Sequence, residues 1–250
     1  MADTKKPMQG SNLKSFYWGL GVLAVIGIAL IAFIVLRKNA GQTAMAPVVV
    51  PGAEDPQALV AKAQGVAQGP DAAPAKMLVF SDYECPYCGE FAYMIEPTLV
   101  KEFVEPGKLQ LVFYDFPLGG AHKYSFLAAR AARCAGDQGK FWQYHDLLFG
   151  KQSEWSAESN VPMGKFLDYG NQVGLNADTF KGCVQSDKYQ DIVSANHTLG
   201  ERLGVNSTPT IFVNGRRVEG RSMEDLLQNL RDVINREAGA SATPAATTTE

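Results

Sequence analysis

Phe80-Ser81-Asp82-Tyr83-Glu84-Cys85-Pro86-Tyr87-Cys88 is the stretch on which the reading of the chain turns. The run that leads into it, Met77-Leu78-Val79-Phe80, is short and apolar and suits a buried strand. The run that follows, from about Pro86 to Val104, reads as a helix. A cysteine at that junction faces the unsatisfied N–H groups and the positive end of a helix dipole, both of which stabilise a thiolate. Pro86 fits the first helical turn, where no N–H is needed. Cys88 lies one turn further in, within reach of a disulfide and less exposed. Cys85 is therefore expected to be the attacking thiolate and Cys88 the resolving thiol of a redox pair. A zinc site would need a second C-x-x-C or a Cys/His pair at matching spacing, and the three histidines, His122, His145 and His197, are scattered. An inert disulfide closing so short a loop would be a poor staple. No metal and no cofactor are expected. Resolving a mixed disulfide needs Cys88 to lose its proton, and Asp82, Glu84 and Glu90 near the helix start are candidates to assist, but each reads first as a solvated charge.

Working outward, Leu109 to Phe116 reads as a second strand. Thr210 to Val213 reads as a third, entering a hairpin at Asn214-Gly215 with Arg217-Val218-Glu219 as its partner. Between the second and third strands lie helical segments at Lys123–Ala135, Phe141–Phe149, Gly164–Val173 and Tyr189–Leu203, and Met223–Arg236 closes the domain. The class is α/β with a small mixed sheet and a long helical insert. Gly204-Val205-Asn206-Ser207-Thr208-Pro209-Thr210 leads into the third strand. A proline there is ordinarily a loop stop. Beside a C-x-x-C it has a sharper meaning: a cis Thr208–Pro209 bond would leave the Thr208 backbone free to pair with an extended substrate next to Cys85.

Three stretches together, Phe80 to Cys88, Gly139-Lys140-Phe141-Trp142 through Asp146-Leu147-Leu148-Phe149, and Gly204 to Gly215, resemble the DsbA-like thioredoxin-fold proteins over about residues 76 to 236. The resemblance implies a thioredoxin fold interrupted by a helical domain at about 119–203, with the nucleophile at Cys85, the resolving cysteine at Cys88 and the cis-proline at Pro209 preceded by Thr208. Pro86 and Tyr87, with Thr208 and Pro209, would meet the substrate. It also implies a thiol:disulfide oxidoreductase that introduces or exchanges disulfides in extracytoplasmic proteins with cysteine thiols, reoxidised by a membrane partner of the DsbB or vitamin K epoxide reductase type. Pro86-Tyr87 departs from the Pro-His dipeptide of the strongest oxidants, and dipeptide identity tunes the redox potential. A reductase or isomerase using the same site is therefore the alternative, and a tethered soft-metal-binding protein a more distant one. Met45, Met77, Met94 and Met163 are too dispersed to support the latter. The isomerases of the group carry an amino-terminal dimerisation domain for which residues 39–75 are too short, so a monomer is expected.

The remainder of the 250 residues sets the location. Phe16 to Leu36 runs uncharged for 21 residues, enough at 1.5 Å per residue to span a bilayer core of about 30 Å. Ala44-Met45-Ala46 has the look of a cleavage site, but it lies far downstream and Pro47 follows it, so an uncleaved anchor at 16–36 is expected. Lysines 5, 6 and 14 lean towards a cytoplasmic segment at 1–15, which places the catalytic domain on the periplasmic side of a bacterial inner membrane. Residues 37–75 read as a flexible linker holding a short helix near Pro56, 76–237 as the folded domain and 238–250 as a disordered tail. Lys plus Arg number 23 against 26 Asp plus Glu, a balance that leaves no footprint for nucleic acid. Cys134 and Cys183 both fall in the helical insert. In a compartment that oxidises thiols they are expected to form a structural disulfide, with two free core thiols as the alternative.

Overall fold

The structure, a computed structural model, describes residues 12–41 and 45–241. The chain divides into two units, Met1–Gln42 and Thr43–Glu250. In the first, a single helix α1 runs over Asn12–Gly41, 30 residues. Its side chains are described over residues 17–31 only, and there Trp18, Leu23, Ile28 and Ile31 are all exposed. Among the described residues no helix is long and apolar enough to cross a membrane. The segment at 1–15 lies largely outside the described residues.

The second unit is built on a five-stranded sheet in the order β1-β3-β2-β4-β5. Strand β2 (Ala75–Ser81) pairs in parallel with β3 (Leu109–Asp115), and antiparallel β1 (Val66–Gln68) flanks β3. On the other side β4 (Thr210–Val213) runs antiparallel to β2, and β5 (Arg216–Val218) follows it through a hairpin. Asn214 and Gly215 take φ of 46° and 78°, the paired left-handed conformation that a two-residue hairpin demands. On one face of the sheet Met77, Val79 and Ile211 pack with Phe91 of helix α3 (Pro86–Met94) and with Leu230 and Ile234 of helix α11 (Met223–Ser241). The other face carries Phe80, Phe116 and Val205.

The helix expected over Pro86–Val104 is three pieces. After α3 comes α4 (Glu96–Leu99) and then a π-helical turn at Val100–Val104. Pro97 explains the break, since it offers no N–H and its ring collides with the carbonyl four residues earlier. Between β3 and β4 lie α5 (Ser125–Gly136), α6 (Phe141–Gly150), α7 (Gln152–Ser156), α8 (Met163–Gln172), α9 (Ala177–Gln185) and α10 (Gln190–Arg202). They share one core of Phe126, Tyr144, Leu148, Trp155, Phe166 and Phe180. The insert has two helices, α7 and α9, that the hydrophobic pattern did not reveal. Cys134 of α5 and Cys183 of α9 are disulfide-bonded, with Cα atoms 5.8 Å apart.

Two boundaries are corrected. Much of the segment 37–75 is not a flexible linker: Val50, Ala53, Leu59 and Ala63 are buried against Ala195 of α10, and helix α2 (Pro56–Lys62) and strand β1 belong to the fold. The Val48 N–H donates to Ser194 Oγ at 3.0 Å, so the folded unit begins some thirty residues before Lys76. Small and β-branched residues read locally as tether because the surface that buries them comes from the far side of the chain. At the other end α11 continues to Ser241, into the tail assigned to 238–250, as alanine's helix propensity allows. Residues 242–250 lie outside the described residues.

Candidate redox site

β2 ends at Ser81 and α3 begins at Pro86, so Asp82 to Cys85 form the turn that delivers the cysteines. Cys85 is the N-cap of α3, and its carbonyl accepts the N–H groups of Cys88 and Gly89, both at 3.1 Å. This leaves its sulfur at the open amino end of the helix, with Pro86 and the 66 % exposed Tyr87 forming the rim. The turn is clamped from the insert by Gln152 of α7, whose Nε2 donates to the carbonyls of Tyr83 (2.7 Å) and Cys85 (2.9 Å).

The loop before β4 closes the site from the opposite side. The Thr208–Pro209 bond is cis. When protonated, the Cys85 thiol donates to the Thr208 carbonyl oxygen at 3.4 Å. Thr208 Oγ1 is buried with no hydrogen-bond partner assigned among the described residues, and the hydroxyl faces the Cys85 sulfur. Residues separated by more than a hundred positions thus form one site: Cys85, Cys88, Pro86 and Tyr87 on one wall, Thr208 and Pro209 on the other. A groove of about 490 Å³ runs away from it between Tyr87, Pro209, Ile211, Val218 and Met223.

Both cysteines are present as free thiols, and their environments push them apart. The Cys88 thiol donates to the Cys85 sulfur, which outweighs the upward effect of burial. Thr208 and the N–H groups of Cys88 and Tyr87 add to this, and together they lower the Cys85 thiol to about 6. Burial, and then its own role as donor to Cys85, pushes Cys88 well above the ordinary thiol value. The arrangement therefore holds one sulfur as a thiolate near neutrality and the other as a protonated thiol behind it.

Beneath the turn is a polar cluster that the sequence did not announce. Asp82 is 1 % exposed. Its Oδ1 accepts the Glu84 N–H (2.7 Å), and its Oδ2 accepts the Leu118 N–H (2.7 Å) and pairs with His122 Nδ1 (2.8 Å). Glu84 Oε2 accepts the Tyr124 N–H at 2.5 Å, and burial raises its carboxyl pKa. His145, fully buried, sits 3.0 Å from the Tyr83 hydroxyl through Nδ1 and 3.4 Å from Glu96 through Nε2. Glu90, by contrast, is exposed on the groove. A signal for His122 did exist: it follows the carboxyl end of a strand parallel to β2, where the sites of α/β sheets gather.

Comparison with known proteins accords with this geometry. A family profile described as thioredoxin matches residues 61–232. The Na(+)/H(+) antiporter NhaA 1 of Salinispora arenicola is 32% identical over 216 residues, covering 80% of this chain, but the chain spans only 30% of that protein's length. Disulfide bond formation protein D of Bacillus subtilis is 28% identical over 172 residues, 68% of this chain and 75% of that protein. Oxidised BdbD from Bacillus subtilis matches with a TM-score of 0.61 at 26% identity, covering 69% of this chain and 92% of that chain. The chain belongs to the thioredoxin family.

Proposed function

We propose that this chain is a membrane-tethered thiol:disulfide oxidoreductase that introduces disulfides into extracytoplasmic proteins through Cys85 and Cys88. The observation that carries the reading is the placement of the two sulfurs: Cys85 caps α3 with its sulfur 3.4 Å from the Thr208 carbonyl oxygen before the cis bond to Pro209, and Cys88 lies fully buried one turn behind it. In the oxidised enzyme a substrate thiolate attacks the Cys85 sulfur, and the S–S bond to Cys88 breaks. Cys88 takes up a proton and a mixed disulfide joins the substrate to Cys85. A second substrate thiolate then attacks the substrate sulfur of that disulfide and expels Cys85. The substrate has lost two electrons and gained its disulfide, and the enzyme holds a Cys85 thiolate and a Cys88 thiol. A low Cys85 pKa makes it a good leaving group, which favours donation over withdrawal of the disulfide.

The Thr208 carbonyl and Pro209 face the position where the mixed disulfide forms, and the adjoining groove, where Tyr87, Ile211 and Met223 stand beside Arg217, Glu219 and Arg221, offers a mixed apolar and charged bed for the substrate chain. The uncharged run at 16–36 serves as a single-pass inner-membrane anchor, with the catalytic unit on the periplasmic side. Reoxidation falls to a membrane partner of the DsbB or vitamin K epoxide reductase type. Sodium–proton exchange is not carried over from the antiporter, whose length the chain matches only in part.

The deciding experiment equilibrates the Cys85/Cys88 pair of the detergent-solubilised chain against glutathione. A potential at or above about -150 mV is expected, on the side of the strong oxidants near -120 mV. A value near the thioredoxin figure of about -270 mV would make the chain a reductase, and no equilibrium at all would end the redox reading.

A further inference from the structure

Asp82 touches both cysteines through its backbone. Its N–H points at Cys88 Sγ (3.5 Å), and its carbonyl accepts the Cys85 N–H (3.1 Å). Its carboxylate is buried in the same turn and saturated by two backbone N–H groups and His122. A buried negative charge at this place opposes a second one on Cys85, because like charges in a poorly solvated site disfavour each other. The dipeptide between the cysteines, Pro86-Tyr87, brings no cation to offset it. The offset arrives from the loop between β3 and α5, as the imidazole of His122.

We propose that His122 is a positioning residue for the redox pair: protonated and held by Asp82, it neutralises the carboxylate beside the cysteine turn and so favours the reduced form with Cys85 as thiolate. The proposal rests on the reading of Cys85 and Cys88 as a redox pair. His122 lies 2.8 Å from Asp82 and is also acted on by the charges of Glu84 and Cys85, while from α10 His197 lies 3.6 Å from Glu201 and is acted on by the charge of Asp82. The acidic groups, Asp82 first through its hydrogen bond, raise the His122 pKa, whereas burial lowers that of His197, leaving His122 as the cation of the cluster. Linkage then runs both ways. Reduction places charge on Cys85 and tightens the proton on His122, and protonation of His122 by the same amount stabilises the reduced pair. Between the His122 pKa values of the oxidised and reduced forms, the potential should fall more steeply with pH than thiol titration alone requires.

The test is the glutathione equilibrium of the full chain in detergent from pH 5 to 9, for the unaltered protein, His122→Gln and the double variant Asp82→Asn/His122→Gln. His122→Gln should disfavour the reduced form about tenfold at pH 6, a drop of about 30 mV, and should remove the extra pH slope. The double variant, lacking both charges, should regain most of the loss. An unchanged equilibrium and slope in His122→Gln would overturn the proposal while leaving the redox pair intact. The same holds if His122→Gln shifts the potential but keeps the slope, since a merely structural histidine would do that. If Asp82→Asn prevents folding, the slope of the single variant decides. Absence of any equilibrium in the unaltered protein would remove the redox reading itself and the proposal with it.

Discussion

A thiol with a pKa of about 6 is mostly ionised at neutral pH, and this fixes the profile expected of Cys85. In the reduced protein its alkylation by iodoacetamide should rise with pH through a midpoint near 6 and level off by neutrality. Thiolate absorbance at 240 nm should follow the same curve and vanish in Cys85→Ser. Cys88, fully buried and held protonated, should stay unmodified over that range; equal labelling of both cysteines would contradict the assignment. In Cys88→Ser treated with oxidised glutathione, the Cys85 thiolate displaces one glutathione thiolate and no Cys88 thiol is left to resolve the product, so a glutathione mixed disulfide on Cys85 should accumulate and be visible by mass spectrometry. The cysteines were legible because their chemistry is local: a C-x-x-C between a strand and a helix needs only adjacent residues to be recognised. Thr208 was legible by its place before a proline at a strand start. His122 was marked only by its place after β3 and Gln152 by nothing local, since they reach Asp82 and Cys85 across 40 and 67 positions.

Elements tell a different story, because here the neighbours that decide burial are remote. The α2–β1 segment is stitched to the domain by apolar contacts and by one buried polar tie. Arg133 of α5 donates through Nε to Asp115 Oδ2 at 2.5 Å and through a terminal nitrogen to the Gln64 carbonyl at 2.6 Å. Asn196 Nδ2 reaches the same Asp115 oxygen at 3.0 Å. Arg133→Leu would strand a buried carboxylate, and a loss of about 3–5 kcal/mol is expected in urea unfolding. Leu59→Ala, which empties a position 1 % exposed, should cost about 2–4 kcal/mol and open residues 48–68 to limited proteolysis. Rapid cleavage of that segment in the unaltered protein would show that it is a tether after all. The sequence concealed this arrangement because the partners, Ser194, Ala195 and Asn196, lie on α10. The central strands and the helices on either side of the sheet were legible by contrast, since an apolar run of four to seven residues, or a helical stripe, declares itself without its partner.

At the scale of the molecule, two pairs of cysteines have separate duties. Cys134 and Cys183 close a loop of 49 residues, which the chain-entropy account values at about 4 kcal/mol as an upper figure. Replacing both with serine should lower the melting temperature while leaving the pH midpoint of Cys85 alkylation in place; a shifted midpoint would mean that the insert controls the site. Cys85 and Cys88 make stability depend on redox state instead. The Cys85 pKa is lowered from 9.0 to about 6 by folding, so the reduced protein gains stability as pH rises from about 6 towards 9 and loses it again as pH falls through 6. The oxidised protein has no thiolate there and no such gain. The gap between the two melting curves should therefore widen in favour of the reduced form between pH 6 and 9. That gap closes a thermodynamic cycle with the potential of the same two cysteines in the unfolded chain. A calorimeter, with no electrode or redox buffer, would then weigh how strongly the fold at the start of α3 draws electrons.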